Sequence, residues 1–133
     1  MERAAQAKKR EICQIHPLDA AKRAIYSGDI VEIFNPRGAL LACAKVTEDI
    51  MPGVIQEPTS TWFDPLKPLA DAPFCVHGNP NIVTLDEGTS SLAQGGTGQI
   101  ATVEMVKYEG VLPPVKAFIP PLLTAAIKPP PEV

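Results

Sequence analysis

Cys75, His77 and Asp86 are the residue types of a covalent catalyst: a nucleophile, a base and a carboxylate to orient it. Two positions apart on an extended chain, Cys75 and His77 would share a face. No nucleophile-elbow motif surrounds either residue, and the turn-rich stretch that follows is a poor rigid platform. Packed, unreactive side chains are the plainer role for both. His16 and His77 with Asp86 or Glu87 would be a metal set, but the histidines lie far apart and no CxxC pair accompanies them. The glycine-rich residues 95–98 lack the Lys-Ser/Thr of a P-loop and precede a strand, not a helix. They form either a flexible turn or a backbone cradle for phosphates or a fused ring. Residues 89–94 would make a short helix with a hydroxyl at its start, which serves either as an ordinary cap or as a phosphate site. Asp19 at another helix start either stabilises the dipole or accepts from the paired N–H donors of a guanine edge.

These candidates crowd into residues 75–99, a polar stretch dense in Gly, Asn, Thr, Ser and Gln. A loop of that length in a compact domain is more often functional than decorative. The elements around it must therefore act as its scaffold. Ile12 and Ile15 mark a short strand. Pro17 suits a first helical position, Asp19 its first turn, and Ser27-Gly28-Asp29 the end of that element. Residues 30–34 read as a strand, 35–38 as a turn with Gly38 supplying conformational freedom, and 39–46 as the return strand of a hairpin. Residues 54–56 are a further strand. Trp62 and Phe63 stand side by side in a loop, and Pro65, Pro68 and Pro73 keep the next segment irregular. Residues 100–108 alternate as a strand, with Ala101, Val103, Met105 and Lys107 on one side. From Pro113 onward the chain is proline-rich and extended. Short strands, few helices and many turns indicate a mainly β domain, a small barrel.

Composition excludes several function classes. At 133 residues the chain suits one domain, and 45% hydrophobic residues make it globular. Aromatic residues are only 5%, so the core must be aliphatic. A net charge of −3 argues against a nucleic-acid surface. No apolar run approaches the roughly 20 residues of a membrane helix, and residues 1–10 are not a signal peptide. Cys13, Cys43 and Cys75 are widely spaced and odd in number, unlike a disulfide framework.

Taken together, HPLDAAKRAIYSGDIVEIFNPRGALLACAKVTEDIMPGVIQ, TWFDPL and CVHGNPNIVTLDEGTSSLAQG resemble one family. It is the C-terminal dinucleotide-binding domain of molybdopterin oxidoreductases, in the subgroup of dimethyl sulfoxide, trimethylamine N-oxide and biotin sulfoxide reductases. FNPRG, the W-aromatic-DP motif and HGNPN…LAQG carry the subgroup. The resemblance covers residues 11–118, leaving 1–10 as a leader and 119–133 as a proline-rich tail. It implies a double-psi β-barrel with short helices and, as ligand, bis(molybdopterin guanine dinucleotide), its molybdenum held by residues outside this chain. It implies Asn79, Asn81 and Gln99 as pterin-side contacts, Asp19 at the guanosine end, and Ser90 and Gln94 as secondary contacts. His16 stands where the family usually has Asn, and Arg37 belongs to the hairpin turn or meets neighbouring protein. Residues 1–10 do not resemble the family's first barrel strand. The expectation is a C-terminal piece of a larger bacterial enzyme, periplasmic or cytoplasmic, whose partners are the remaining reductase domains. Its barrel would lack a strand and would self-associate through the exposed edge. No nucleic acid or membrane partner is expected. The alternative is a free-standing double-psi barrel that acts as an interaction module with a vestigial cofactor site.

Overall fold

The computed structural model describes residues 9–59, 61–68, 70–96 and 100–120. Within them the chain is mainly β. In order come β1 (Ile12–Ile15), α1 (Pro17–Lys22), β2 (Ile30–Asn35), β3 (Gly38–Val46), β4 (Ile55–Gln56), β5 (Phe74–Cys75), a 3₁₀ turn (Pro80–Ile82) and β6 (Glu104–Lys107).

The nine-residue β3 is the spine. Its run of Leu, Ala and Cys is buried on both faces, as a central strand must be. One edge pairs antiparallel with β2, from Ile30↔Cys43 to Asn35↔Gly38. The other edge is shared by two parallel partners, β5 along Ala39–Leu40 and β1 along Cys43–Val46. The sheet order is β4-β1-β3-β2-β6, with β5 beside β3, and the sheet curls into a half-barrel. This is the mainly β, partial-barrel architecture with short helices that the sequence implies. The core is aliphatic: Ile15, Val31, Ile33, Leu40 and Leu41 are buried, with Met105 and the thiols Cys13, Cys43 and Cys75, and none of the buried hydrophobic residues is aromatic.

The 30–46 hairpin stands as read, but Gly38 has a different reason to be glycine. A Cβ there would lie 2.7 Å from the Pro73 carbonyl oxygen and 3.0 Å from Ile82. Gly38 therefore supplies room where β5 approaches, not a left-handed turn. The turn itself is made by Asn35, whose Oδ1 accepts from the Arg37 N–H (2.9 Å). Helix α1 stops earlier than Ser27-Gly28-Asp29 suggests. Arg23 is its C-cap, and Ala24 takes the left-handed conformation at φ 51°. The strand read over 100–108 narrows to Glu104–Lys107, because only those residues find partners along β2. Residues 89–94 form no helix. Thr89 N–H donates to Gly95 O, the Ser90 hydroxyl accepts from the Ala93 N–H, and Gly88 bridges Gly96, which closes a small hairpin-like loop.

Candidate functional site

Between the two sheet edges lies a cleft of about 590 Å³. Ile15, Val54, Ile55 and residues 100–105 line it, together with Asp19, Arg23 and Gly53. Helix α1 commands this cleft although it is only six residues long. Its start is capped by His16, whose Nδ1 accepts from the Leu18 N–H (3.1 Å). His16 thus does locally what an Asn cap would do, which accounts for the substitution without a ligand.

Asp19 and Arg23 are one turn apart and project from the same side of the helix. Each holds one wall. Asp19 Oδ2 accepts from the Gly53 N–H (2.6 Å) and pins the turn before β4. The Arg23 guanidinium donates to Glu104 Oε1 (2.8 and 3.0 Å) and to the Met105 carbonyl (3.1 Å), which pins β6. The Met105 N–H and then Arg23 hold the Glu104 carboxyl below the usual range. Asn35, unremarked in the sequence beyond its turn, is the third fastening: its Nδ2 donates to Val83 O (2.7 Å) and Thr102 O (3.2 Å). An Asn at the start of an N-P-R-G turn was the available signal.

A second cluster is built where residues 61–66 run beside 74–79. Val76 N–H donates to Asp64 O (2.9 Å) and Leu66 N–H to Phe74 O (2.8 Å). His77 Nδ1 meets the Trp62 carbonyl (3.1 Å), and Asn79 Nδ2 donates to Thr61 O (2.8 Å). Asn79 Oδ1 accepts from Asn81 N–H (3.0 Å) and so caps the 3₁₀ turn. Both ends of the Asn79 amide are engaged within the chain, whereas the Asn81 side chain is exposed. Cys75 Sγ accepts from the Asp64 and Asn79 N–H groups (3.5 Å each). Cys75 closes β5 and His77 lies past its end, so the two do not share a strand face and each has a separate structural partner.

The same cluster holds unsatisfied groups. Both Glu57 carboxyl oxygens and Thr61 Oγ1 are buried without a hydrogen-bond partner. Burial drives the Glu57 carboxyl up to about 8, with the Glu11 charge adding to the shift and the Cys13 thiol opposing it. Burial likewise raises the Cys13 thiol well above its ordinary value.

The remaining sequence candidates are dispersed. Ser90 and Gln94 share the small 88–96 loop. The Ser90 hydroxyl is taken by the Leu92 and Ala93 N–H groups (3.3 and 2.9 Å), and a Cβ at Gly88 would lie 3.0 Å from Gln94 Oε1. Gln99 lies outside the described residues. Asp19 faces the cleft, while Asn79 and Asn81 sit at the 3₁₀ turn. Among the described residues, no group of three or more His, Cys, Asp or Glu side chains is placed to hold a metal, and no helix is long and apolar enough to cross a membrane.

Ile15, Val54, Ile55, Val103 and Met105 give the cleft apolar walls, and Asp19 and Arg23 are its charged lining. A family model described as "Molydopterin dinucleotide binding domain" matches residues 1–101. The chain belongs to this family of molybdopterin dinucleotide-binding domains.

Its relatives include a dimethyl sulfoxide/trimethylamine N-oxide reductase of Cereibacter sphaeroides, 43% identical over 111 residues, which are 84% of this chain and 14% of that protein. A trimethylamine-N-oxide reductase of Haemophilus influenzae is 44% identical over 113 residues, again 84% of this chain and 14% of the relative. Trimethylamine-N-oxide reductase 1 of Escherichia coli is 43% identical over 98 residues, 74% of this chain and 12% of that protein. The chain thus spans about 14% of the length of the relatives it matches.

Proposed function

We propose that this chain holds the guanosine end of bis(molybdopterin guanine dinucleotide) in the cleft beside α1. In this role it is the cofactor-binding part of a molybdenum oxidoreductase that reduces S- or N-oxides. The observation that carries the proposal is Asp19, a carboxylate fastened at the rim of an apolar cleft large enough for a purine. A carboxylate accepts from two N–H groups side by side, as a guanine edge presents them. When bound, the cofactor supplies the redox centre at which an oxide loses its oxygen; this chain has no reductase activity alone.

Asn81 and Gln99 are the proposed contacts toward the pterin side, with Ser90 and Gln94 as secondary contacts. Asn79 serves there by capping the turn that presents Asn81, since its own amide is engaged. The remaining polypeptide of the reductase is the proposed partner. Trp62, Phe63 and Phe118 are 70%, 52% and 67% exposed, an aromatic surface of the kind that packs against protein. The same surface favours the second reading, a free-standing barrel that serves as an interaction module.

Mass spectrometry of the chain after expression in a cofactor-producing bacterium separates the two. Retained guanine-containing pterin, lowered at least about tenfold by Asp19→Asn, is the expected result. Asn keeps the acceptor for Gly53 but replaces a carboxylate oxygen with a donor. Absence of any pterin from the folded wild-type chain would overturn cofactor binding and leave the interaction module.

A further inference from the structure

Glu57 is the most exceptional side chain in the fold. A buried carboxyl ordinarily has strong donors on both oxygens; among the described residues neither Glu57 oxygen has one, and only the Cys13 thiol acts on it as a weak donor. Its surroundings explain why none arrives. From the β1 side come Glu11 and Cys13, one a like charge and the other a weak donor already aimed at the Gln14 carbonyl (3.8 Å). From the 74–79 side comes Gly78, at φ 103°, where a Cβ would lie 3.0 Å from Glu57 Oε1, 3.1 Å from Glu11 Cβ and 3.3 Å from Leu41 O. Among the described residues, no cation is one of the groups that act on the carboxyl. An ionised Glu57 therefore has only the weak Cys13 thiol to compensate it in the closed structure, whereas a protonated one is tolerated.

Its position makes this consequential. Glu57 lies just ahead of residues 61–66, which are laid along residues 74–79 by the Thr61–Asn79, Trp62–His77, Asp64–Val76 and Leu66–Phe74 hydrogen bonds. We propose that Glu57 is a proton-binding site whose occupancy latches residues 61–66 onto residues 74–79. Loss of the proton leaves a bare carboxylate beside Glu11 and Cys13, and the charge reaches water by lifting the segment. Asn79 loses its Thr61 tether in the same movement, so the 3₁₀ turn and Asn81 loosen with it.

The sign follows from the direction of the shift. The carboxyl is raised from an ordinary 4.5 to about 8. The protonated form thus favours the closed fold. Its contribution is full below the unfolded value, declines above it, and is gone once pH passes the folded value.

The test is NMR on the intact chain. Hydrogen-exchange protection of the Val76 and Leu66 amides, which bridge the two segments, is compared with that of core β3 amides from about pH 6 to about pH 9.5. Protection factors remove the intrinsic pH dependence of exchange. The expected result is a fall of at least about tenfold at Val76 and Leu66, with β3 unchanged, and no such fall in Glu57→Gln. A fall of equal size in Glu57→Gln, or none in the wild type, would overturn the latch. Should the variant not fold, the carbon-13 titration of the Glu57 carboxyl decides: a midpoint near 8 supports the site, and one near the ordinary 4.5 ends it.

Discussion

Single residues in this chain are constrained by neighbours that sequence does not reveal. Gly38 is the clearest case. Its place after N-P-R suggested a turn glycine, yet its backbone is ordinary strand and the constraint is the Pro73 carbonyl 2.7 Å from any added Cβ. The obstacle is backbone and will not swing aside. Gly38→Ala is therefore expected to destabilise the domain by about 1–3 kcal/mol, read as a lower urea midpoint at unchanged slope. A variant as stable as the wild type would show that β5 yields freely. His16 teaches the converse. Its ring nitrogen accepts the kind of capping bond that an Asn side chain would, so a residue outside the usual capping set holds the helix start.

At the scale of elements, α1 shows how much a short helix can organise. Its stability cannot come from length. It comes instead from the His16 cap, from Ala20 in the core and from two side chains that fasten opposite cleft walls. Arg23 makes two kinds of bond to β6. The ion pair with Glu104 is exposed and contributes little, under about 0.5 kcal/mol once solvent screening is counted. The bond to the Met105 carbonyl is part-buried and contributes more. Glu104→Gln should thus be nearly silent in urea denaturation, whereas Arg23→Met should cost about 1 kcal/mol or more. Equal losses in the two variants would mean that the ion pair, not the carbonyl bond, fastens the wall. The Pro17 and Asp19 positions made the helix legible in sequence, and the Asn35-Pro36-Arg37-Gly38 turn between two apolar runs did the same for the hairpin. The parallel pairing of β1 with β3 was not legible, because four residues with two isoleucines carry no signal of partner or direction. Nor was the two-residue β5, which exists only because β3 offers it a free edge. Residues 89–94 failed as a helix because Ser90 folds its hydroxyl onto nearby amides, a local competition that Ser enters readily.

The whole molecule is a sheet with ends. β4 and β6 each pair on one side only among the described residues, and the cleft lies between them. Unpaired strand edges recruit other strands. Sedimentation velocity is expected to show concentration-dependent self-association of the isolated chain, reduced by Val106→Lys, which places a charge at the middle of β6. A chain that stays monomeric at high concentration would show that the edges are protected. How the site reads from sequence also belongs to this scale. Asp19 was recognisable from its place in the helix, and the structure sets it on the cleft. The cleft itself was invisible, since it arises from residues 15–23, 53–55 and 100–105 meeting in space. Glu57 was equally invisible: nothing in its sequence neighbourhood shows that both carboxyl oxygens are buried.

The three thiols reach further than packing. Cys13, Cys43 and Cys75 are buried on β1, β3 and β5, strands that lie side by side in the sheet. A thiol shielded by folding reacts only in molecules that open, and the product is permanent. Each strand therefore keeps its own chemical record of how often it has parted from its neighbours. Read by peptide mass after timed exposure to an alkylating reagent, the chain reports the order in which its sheet comes undone, with no label added.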